Sequence, residues 1–342
     1  MSSSNSPIVL YDVLPNTDSP SERPYALLPN PWITRLVLKQ KNIPFTVKPI
    51  TVTELRASGP GSFRDRLASS LGAQGRPLIP MIEHNGKLIG DNQTIADYLD
   101  KQFPDSPSAF LPEITSRDAA QNQLASSLAW HCARQLRNTI GSGHAELIYE
   151  QATAMFDPVQ REWMRSDEKI GLPGAMDTFR SMNRADLLAS TRGHLAGVFS
   201  ILSPIPAARI EGLEQDEVPN VIQRPADTYP DQSPRLFLSS PTKPGFADFT
   251  VFGWFLFTYI ADRRLNEAIW TQSSGAAREW LEKEYNSGQD ALKGDHRKPG
   301  YWPGDIPLRG VPEWADRMLS LYDNYTRRIL DGEVLEGEPK VL

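Results

Sequence analysis

Residues 76–104 read Arg-Pro-Leu-Ile-Pro-Met-Ile-Glu-His-Asn-Gly-Lys-Leu-Ile-Gly-Asp-Asn-Gln-Thr-Ile-Ala-Asp-Tyr-Leu-Asp-Lys-Gln-Phe-Pro. Asn-Gly between two short apolar runs is the strongest short-range hairpin signal. The spacing therefore predicts a strand from Leu78 to Glu83, a tight turn over His84-Asn85-Gly86-Lys87 and a second strand from Leu88 to Gly90. A helix follows, opening at Asp91-Asn92 and ending before Pro104, with Ile95, Tyr98 and Leu99 on the face that packs on the sheet. Pro80 falls inside the first strand, where it cannot donate a ladder hydrogen bond. A cis peptide that exposes neighbouring backbone groups to a ligand is one reason for a proline there.

Working outward, Ile8 to Val13 is a strand candidate, followed by a loop rich in Pro, Ser and Asn over residues 14–29. Asn30 is placed to cap a helix and Pro31 to occupy its first position, where a missing N–H costs nothing. Ile33, Leu36 and Val37 share one face of that helix, which runs to about Lys41. Pro44-Phe45-Thr46-Val47 begins a second strand, and residues 51–75 form a helical or irregular link to the hairpin. The order βαβαββα gives a small sheet with helices on both faces, a thioredoxin-like α/β domain over residues 1–105.

After Pro107 the strand signals fade. Helical spacing covers residues 116–139, 144–168, 174–202, 246–263 and 311–330, so residues 106–342 read as an all-α domain. Two Pro-rich segments interrupt it, at 203–244 with eight prolines and at 285–312. Long segments without periodicity are usually functional or disordered. Gly245-Phe246-Ala247-Asp248 looks like a helix start, with Asp248 reaching back to free N–H groups as a purely structural cap.

Composition narrows the function. At 342 residues the chain has room for two domains. A net charge of −6 argues against a nucleic-acid partner, whose expected footprint is a basic patch. Met1 to Pro7 is polar and the apolar run that follows is too short for a signal peptide, so a cytoplasmic location is expected. The most apolar segment, Phe246 to Ile260, is shorter than the roughly 20 residues a membrane span needs, so no membrane partner is expected. A single cysteine, Cys132, excludes a disulfide framework and reads as a buried, inert thiol. The five histidines, His84, His131, His144, His194 and His296, have no metal-ligand spacing, and no metal site is expected. No GxGxxG or GxxxxGK[ST] is present, so neither a dinucleotide nor a nucleoside triphosphate is implied.

The Ile79-Pro80 pair, the hairpin and the Asp91-Asn92 helix start resemble the second half of the glutathione-binding domain in the glutathione transferase superfamily. Leu10-Tyr11-Asp12, Pro29-Asn30-Pro31-Trp32-Ile33-Thr34-Arg35 and Lys39-Gln40-Lys41-Asn42-Ile43-Pro44-Phe45 extend the likeness. They are similar to the first strand, active-site turn and first helix of fungal glutathione transferases related to bacterial β-aryl-etherases. Glu162-Trp163-Met164-Arg165, Gly171, Phe246-Ala247-Asp248-Phe249 and the stretch from Trp314 to Tyr322 continue it in the helical part. The resemblance covers most of residues 8–202 and 244–325 and implies a thioredoxin-like domain followed by a helical glutathione transferase C-terminal domain. Both Pro-rich insertions lie outside it.

What the resemblance implies about the site is residue by residue. Ile79, before a cis Pro80, would pair its backbone with the cysteinyl part of glutathione, and Asp91 with Asn92 would take the γ-glutamyl end. Asn92 stands where the family has Ser. A helix N-terminus suits a carboxylate, and Asp91 would answer the ammonium; the plain alternative is that both residues only cap the helix. Just before Pro29-Asn30, where related enzymes carry a serine beside the glutathione sulfur, this chain has Leu28, which cannot donate to a thiolate. Asn30, with an amide N–H₂ donor, is the nearest substitute, and it is equally a helix cap. Ser19, Ser21 and Tyr25 sit in the loop upstream.

A glutathione-dependent transferase-like enzyme is the leading reading, with an apolar co-substrate lying between the domains near Trp130, Arg134 and Tyr149. Those three are equally ordinary helix-packing residues. Thiol addition or displacement, ether cleavage and isomerisation all stay open, as do detoxification and fungal secondary metabolism. Leu28 favours a non-catalytic ligand-binding protein instead. Asn92 in place of Ser favours an enzyme that has abandoned glutathione and rearranges an apolar intermediate. The family implies a homodimer, although no interface signature stands out.

Overall fold

The computed structural model describes residues 7–13, 27–67, 77, 79–113, 119–156, 158–199, 235–285, 302 and 304–338. Most of the two Pro-rich insertions, residues 203–234 and 286–301, lies outside the described residues, as does the loop that carries Ser19, Ser21 and Tyr25.

The first part is a four-stranded sheet in the order β2-β1-β3-β4. Strand β1 (Ile8–Val13) pairs parallel with β2 (Phe45–Ile50) and antiparallel with β3 (Met81–His84), which turns back into β4 (Lys87–Gly90). The turn sits where expected: Asn85 has φ 53° and Gly86 φ 74°. Both central residues thus take the left-handed conformation that a two-residue hairpin requires. Pro80 was expected inside the strand. It stands one residue before β3, where no ladder bond needs its missing N–H, and the Ile79–Pro80 bond is cis.

Helix α1 (Pro29–Gln40) connects β1 to β2, and α4 (Asn92–Gln102) follows the hairpin. Between them, residues 51–67 form two short helices, α2 (Val52–Arg56) and α3 (Phe63–Leu67). A reciprocal capping box starts α2: Glu54 N–H donates to Thr51 Oγ1 at 3.0 Å, and Thr51 N–H donates to Glu54 Oε2 at 2.7 Å. The result is the thioredoxin-like arrangement. Its open edge at β2 is covered from the far end of the chain, where Val47 N–H donates to the carbonyl of Gly337. Nearby, buried Arg35 of α1 pairs with Asp12 at 2.6 Å and with Glu338 at 3.5 Å. Burial pulls against the Arg35 charge, but the carboxylates of Glu338 and Asp12 outweigh it and hold its pKa above the usual value.

The remainder is helical: α5 (Ala119–Ala154), α6 (Pro158–Met164), α7 (Asp167–Ile170), α8 (Ala175–Ser181), α9 (Arg184–Phe199), α10 (Phe246–Ala261), α11 (Arg263–Trp270), α12 (Gly275–Tyr285) and α13 (Val311–Leu330). Residues 119–154, expected as two helices, run as one, with Gly143 at φ +85° where the chain comes close to Thr191 of α9. Neither α11 nor α12 is predicted by periodicity.

Helix α10 is the hub. Phe249, Val251, Phe252 and Leu256 are buried on it, and α1, α5 and α13 pack around it. Its start is secured by Asp248, which is fully buried. The Asp248 carboxylate accepts from Leu238 N–H at 2.7 Å, Ser239 N–H at 2.8 Å, Gly245 N–H at 3.1 Å and Trp314 Nε1–H at 2.9 Å. Burial pushes its pKa up against those bonds. The cap expected of Asp248 thus also ties residues 238–239 and α13 to the hub.

Candidate functional site

The N-termini of α1 and α4 open onto one cleft of about 430 Å³, closed on the far side by α5 and α10. Asn30 and Ile33 come from α1; Asp91, Asn92 and Gln93 come from the start of α4. Arg134 and Asn138 face it from α5, and Phe246, Thr250 and Trp254 from α10. The cleft therefore has polar groups of amides, one carboxylate, one hydroxyl and one guanidinium, and an apolar wall of one aliphatic and two aromatic side chains.

Helix α1 begins two residues earlier than expected. Leu28 is its N-cap, with φ −71° and ψ 139° and no side-chain capping bond, so Asn30 is inside the first turn and does not cap it. This corrects the capping alternative for Asn30. A helix start leaves its first four N–H groups without intrahelical partners. Here Pro29 and Pro31 have none to offer, so the donors at this end are the N–H groups of Leu28 and Asn30. The Asn30 side chain, half-buried at the cleft, has no hydrogen-bond partner among the described residues.

At the second terminus, Asp91 takes φ 71° and its Oδ1 accepts from Gln93 N–H at 2.9 Å and Thr94 N–H at 3.3 Å. Asp91 is thus the N-cap of α4, and its exposed carboxylate stays in the cleft. Asp91 N–H donates to the Pro80 carbonyl at 3.3 Å, which links the cap to the cis-proline segment. Thr34 of α1 donates its hydroxyl to Asn92 Oδ1 at 2.8 Å. That bond joins the two helix starts and leaves the Asn92 N–H₂ group to face a ligand acceptor.

Of the residues expected near a co-substrate, Arg134 lines this cleft. Tyr149 does not: its hydroxyl donates to the Met164 carbonyl at 2.6 Å, its ring stands edge-on to Phe179, and burial pushes its pKa up to about 12. The side chains of Trp130 and Cys132 lie outside the described residues. Asn138, Ile33, Phe246, Thr250 and Trp254 enter the cleft without any sequence signal. A helix-facing residue can be read as buried from spacing, but which neighbour it meets is decided by packing. Among the described residues no cluster of His, Cys, Asp and Glu could hold a metal ion, and no helix is long and apolar enough to cross a membrane.

Residues 29–107 match the family model described as the N-terminal domain of glutathione S-transferase. No curated protein is a significant match. Among solved structures the chain is similar to glutathione transferase GSTFuA3 from Phanerochaete chrysosporium, at 17% identity over 82% of this chain and 96% of that one, with a TM-score of 0.54. It is also similar to glutathione S-transferase CsGST63524 of Ceriporiopsis subvermispora in complex with glutathione, at 18% identity over 94% of this chain and 98% of that one, TM-score 0.54. CsGST83044 of the same organism, also in complex with glutathione, matches at 18% identity over 94% and 99%, TM-score 0.54. At such identities the likeness speaks for the fold, and none of these matches carries the narrower relation to β-aryl-etherases. Residues 29–107 thus match the N-terminal domain of glutathione S-transferase, and the fold of these transferases continues through the helices that follow.

Proposed function

We propose that this protein is a glutathione-dependent enzyme acting on a small, largely apolar co-substrate. The observation that carries the reading is the convergence of two helix starts on one cleft, each with polar groups not spent on the fold. The γ-glutamyl carboxylate would meet the N-terminal N–H groups of α4 and the Asn92 amide, and its ammonium the Asp91 carboxylate. The backbone of Ile79, beside cis Pro80, would pair with the cysteinyl part. That places the thiol toward the start of α1.

A thiol reacts as its thiolate and has an ordinary pKa of about 8.5. Two donors favour the anion here: the Asn30 amide and the backbone N–H at that position, backed by the positive end of α1. The thiolate then attacks the electrophilic atom of a co-substrate held against Ile33, Phe246 and Trp254, and the leaving group or an added proton completes the step. Leu28 supplies no hydroxyl to the sulfur, so the thiol is activated less than by a dedicated side-chain O–H. The co-substrate is accordingly one that is already reactive. Leu28 also favours a second reading, a ligand-binding protein without turnover.

The test is calorimetric titration of the full chain with glutathione, followed by turnover with a panel of reactive aromatic and unsaturated electrophiles. Binding with turnover supports the enzyme, and binding without turnover on any electrophile supports the second reading. Absence of glutathione binding would overturn both.

A further inference from the structure

Helix α13 does not run regularly to its end. Tyr322, Asp323 and Asn324 stand in the left-handed region, with φ of 53°, 57° and 58°. Successive residues with a β-carbon are unfavourable there, and such a run persists only where the contacts around it hold it. Those contacts reach the thioredoxin-like half. Tyr325, just past the turn, is buried, with the Lys39 ammonium of α1 4.4 Å from the centre of its ring. Its hydroxyl donates to Glu338 Oε1, and the same oxygen faces Nε of Arg35 at 3.5 Å. The backbone before Glu338 is fixed as well. The Gly337 carbonyl accepts from Val47 of β2, and at φ 82° a β-carbon at this position would collide with the Phe45 carbonyl. Glycine is therefore required for the approach that delivers Glu338. Arg35 in turn holds its guanidinium 5.3 Å from the centre of the ring of Trp32, which lies in the same first turn of α1 as Asn30.

We propose that Glu338 is a positioning residue for the thiol step, acting through Arg35 and Trp32 on the start of α1. The proposal rests on the glutathione-dependent reading above. Asp12, at 2.6 Å, already balances the guanidinium charge, so Glu338 is not needed to neutralise it. What Glu338 adds is direction. Asp12 belongs to β1 and Glu338 to the segment laid on β2, so the planar guanidinium is held from two elements at once. A turn or slide of α1 about its axis would break one of the two contacts. Asn30 and Arg35 are only about 7.5 Å apart along the helix axis, and a rigid helix carries a shift at one to the other. Reacting groups need placement within about 0.5 Å, so that shift reaches the donors that face the sulfur.

The test compares the parent with Glu338→Ala, Glu338→Gln and Gly337→Ala, all as full chains. Without glutathione, hydrogen exchange over residues 30–35, read by mass spectrometry, should quicken at least fivefold in Glu338→Ala and Gly337→Ala and stay as in the parent over α4. With glutathione, the pKa of the bound thiol should rise in both variants, and kcat with a reactive electrophile should fall at least fivefold. Glutathione affinity, carried by α4 and the cis-proline segment, should change less than twofold. Glu338→Gln keeps an oxygen where Arg35 and Tyr325 meet it and should retain at least half of the parent's kcat. Lower stability toward urea with an unchanged thiol pKa and kcat would assign Glu338 to the fold alone and overturn the proposal. So would a Glu338→Gln protein as impaired as Glu338→Ala. A parent that binds no glutathione would overturn the underlying reading and this role with it. Unchanged exchange over residues 30–35 in proteins that do bind glutathione would overturn this proposal alone. Should Glu338→Ala fail to fold, the Gly337→Ala comparison decides.

Discussion

Gly253, in the middle of α10, lies against the carbonyl of Pro29: a β-carbon built on it would stand 2.6 Å from that oxygen. This close approach seats the first turn of α1, and with it Asn30, on the hub helix of the other half. The position of the candidate thiol-facing residue is thus set by a residue without a side chain more than 200 positions away.

Replacing Gly253 by Ala should therefore destabilise the protein even though Ala is the better helix former by roughly 0.5–1 kcal/mol. The new methyl meets backbone, which cannot rotate aside, and overpacking of this kind costs about 1–3 kcal/mol. Urea unfolding should show the loss, and calorimetry should show weaker glutathione binding because the start of α1 is displaced from α4. A Gly253→Ala protein as stable as the parent would mean that the α1–α10 contact yields freely.

Asp91 has two duties that separate by substitution. Asn retains the cap and tolerates the left-handed backbone at this position, so Asp91→Asn should fold normally yet bind glutathione about tenfold or more weakly, as the loss of a charge-assisted contact of about 1.5–3 kcal/mol implies. Asp91→Ala should lose the same affinity and a further ~1 kcal/mol of stability from the missing cap. If Asp91→Asn binds glutathione as the parent does, the ammonium does not lie at Asp91.

Since Asn30 makes no capping bond, Asn30→Ala should change stability by less than about 0.5 kcal/mol, like other substitutions away from structural features. Turnover should fall more than glutathione affinity, and the pKa of the bound thiol, followed by thiolate absorbance, should rise. Leu28→Ser adds a hydroxyl at the helix N-cap and should lower that pKa and raise turnover with generic electrophiles. An unchanged thiol pKa in Asn30→Ala would remove Asn30 from the reaction.

His84 should make the first domain acid-sensitive. It is 2% exposed, its Nδ1 lies 2.8 Å from the Tyr98 hydroxyl, and its Nε2 has no partner among the described residues. Burial lowers its pKa below the ordinary 6.5. The unfolded chain therefore takes up the proton first, so the His84 contribution is complete above the unfolded value and is lost as pH falls through 6.5 toward the folded one. His84→Phe keeps the aromatic packing against Tyr98 and Phe103 and cannot titrate. Denaturant unfolding at pH 7, 6 and 5 should show the parent losing stability relative to the variant. A constant difference between the two proteins would assign the acid response to other groups.

Much of this architecture is legible in the chain wherever the deciding interactions are short in sequence. Asn85-Gly86 specifies the hairpin through the conformation of two residues, and Asp91 and Asp248 mark helix starts because a cap acts within three residues of itself. The start of α1 is less legible: with prolines at both 29 and 31, either can occupy the first turn, and the chain uses both. Helix α11 carries Leu265, Ala268 and Ile269 at helical spacing, but its eight residues are too few for the period to stand out from the neighbouring sequence. The same spacing cannot tell a cleft residue from a packing residue. Arg134 and Tyr149 lie on one helix, yet Arg134 faces the cleft while Tyr149 spends its hydroxyl on Met164.

The sequence by itself determined the order of the strands in the first domain, the hairpin with the helix that follows it, the cis bond at Pro80 and the capped start of the hub helix. All of these rest on contacts among neighbours along the chain or on motifs within one short segment. Only the tertiary structure decided that Asn30, Asn92, Arg134 and Trp254 share a cleft, that Gly253 carries Pro29, and that Glu338 meets Arg35. Those meetings depend on how whole helices are seated against one another, where a difference of one methyl group changes the distance, and no local pattern of residues encodes that distance.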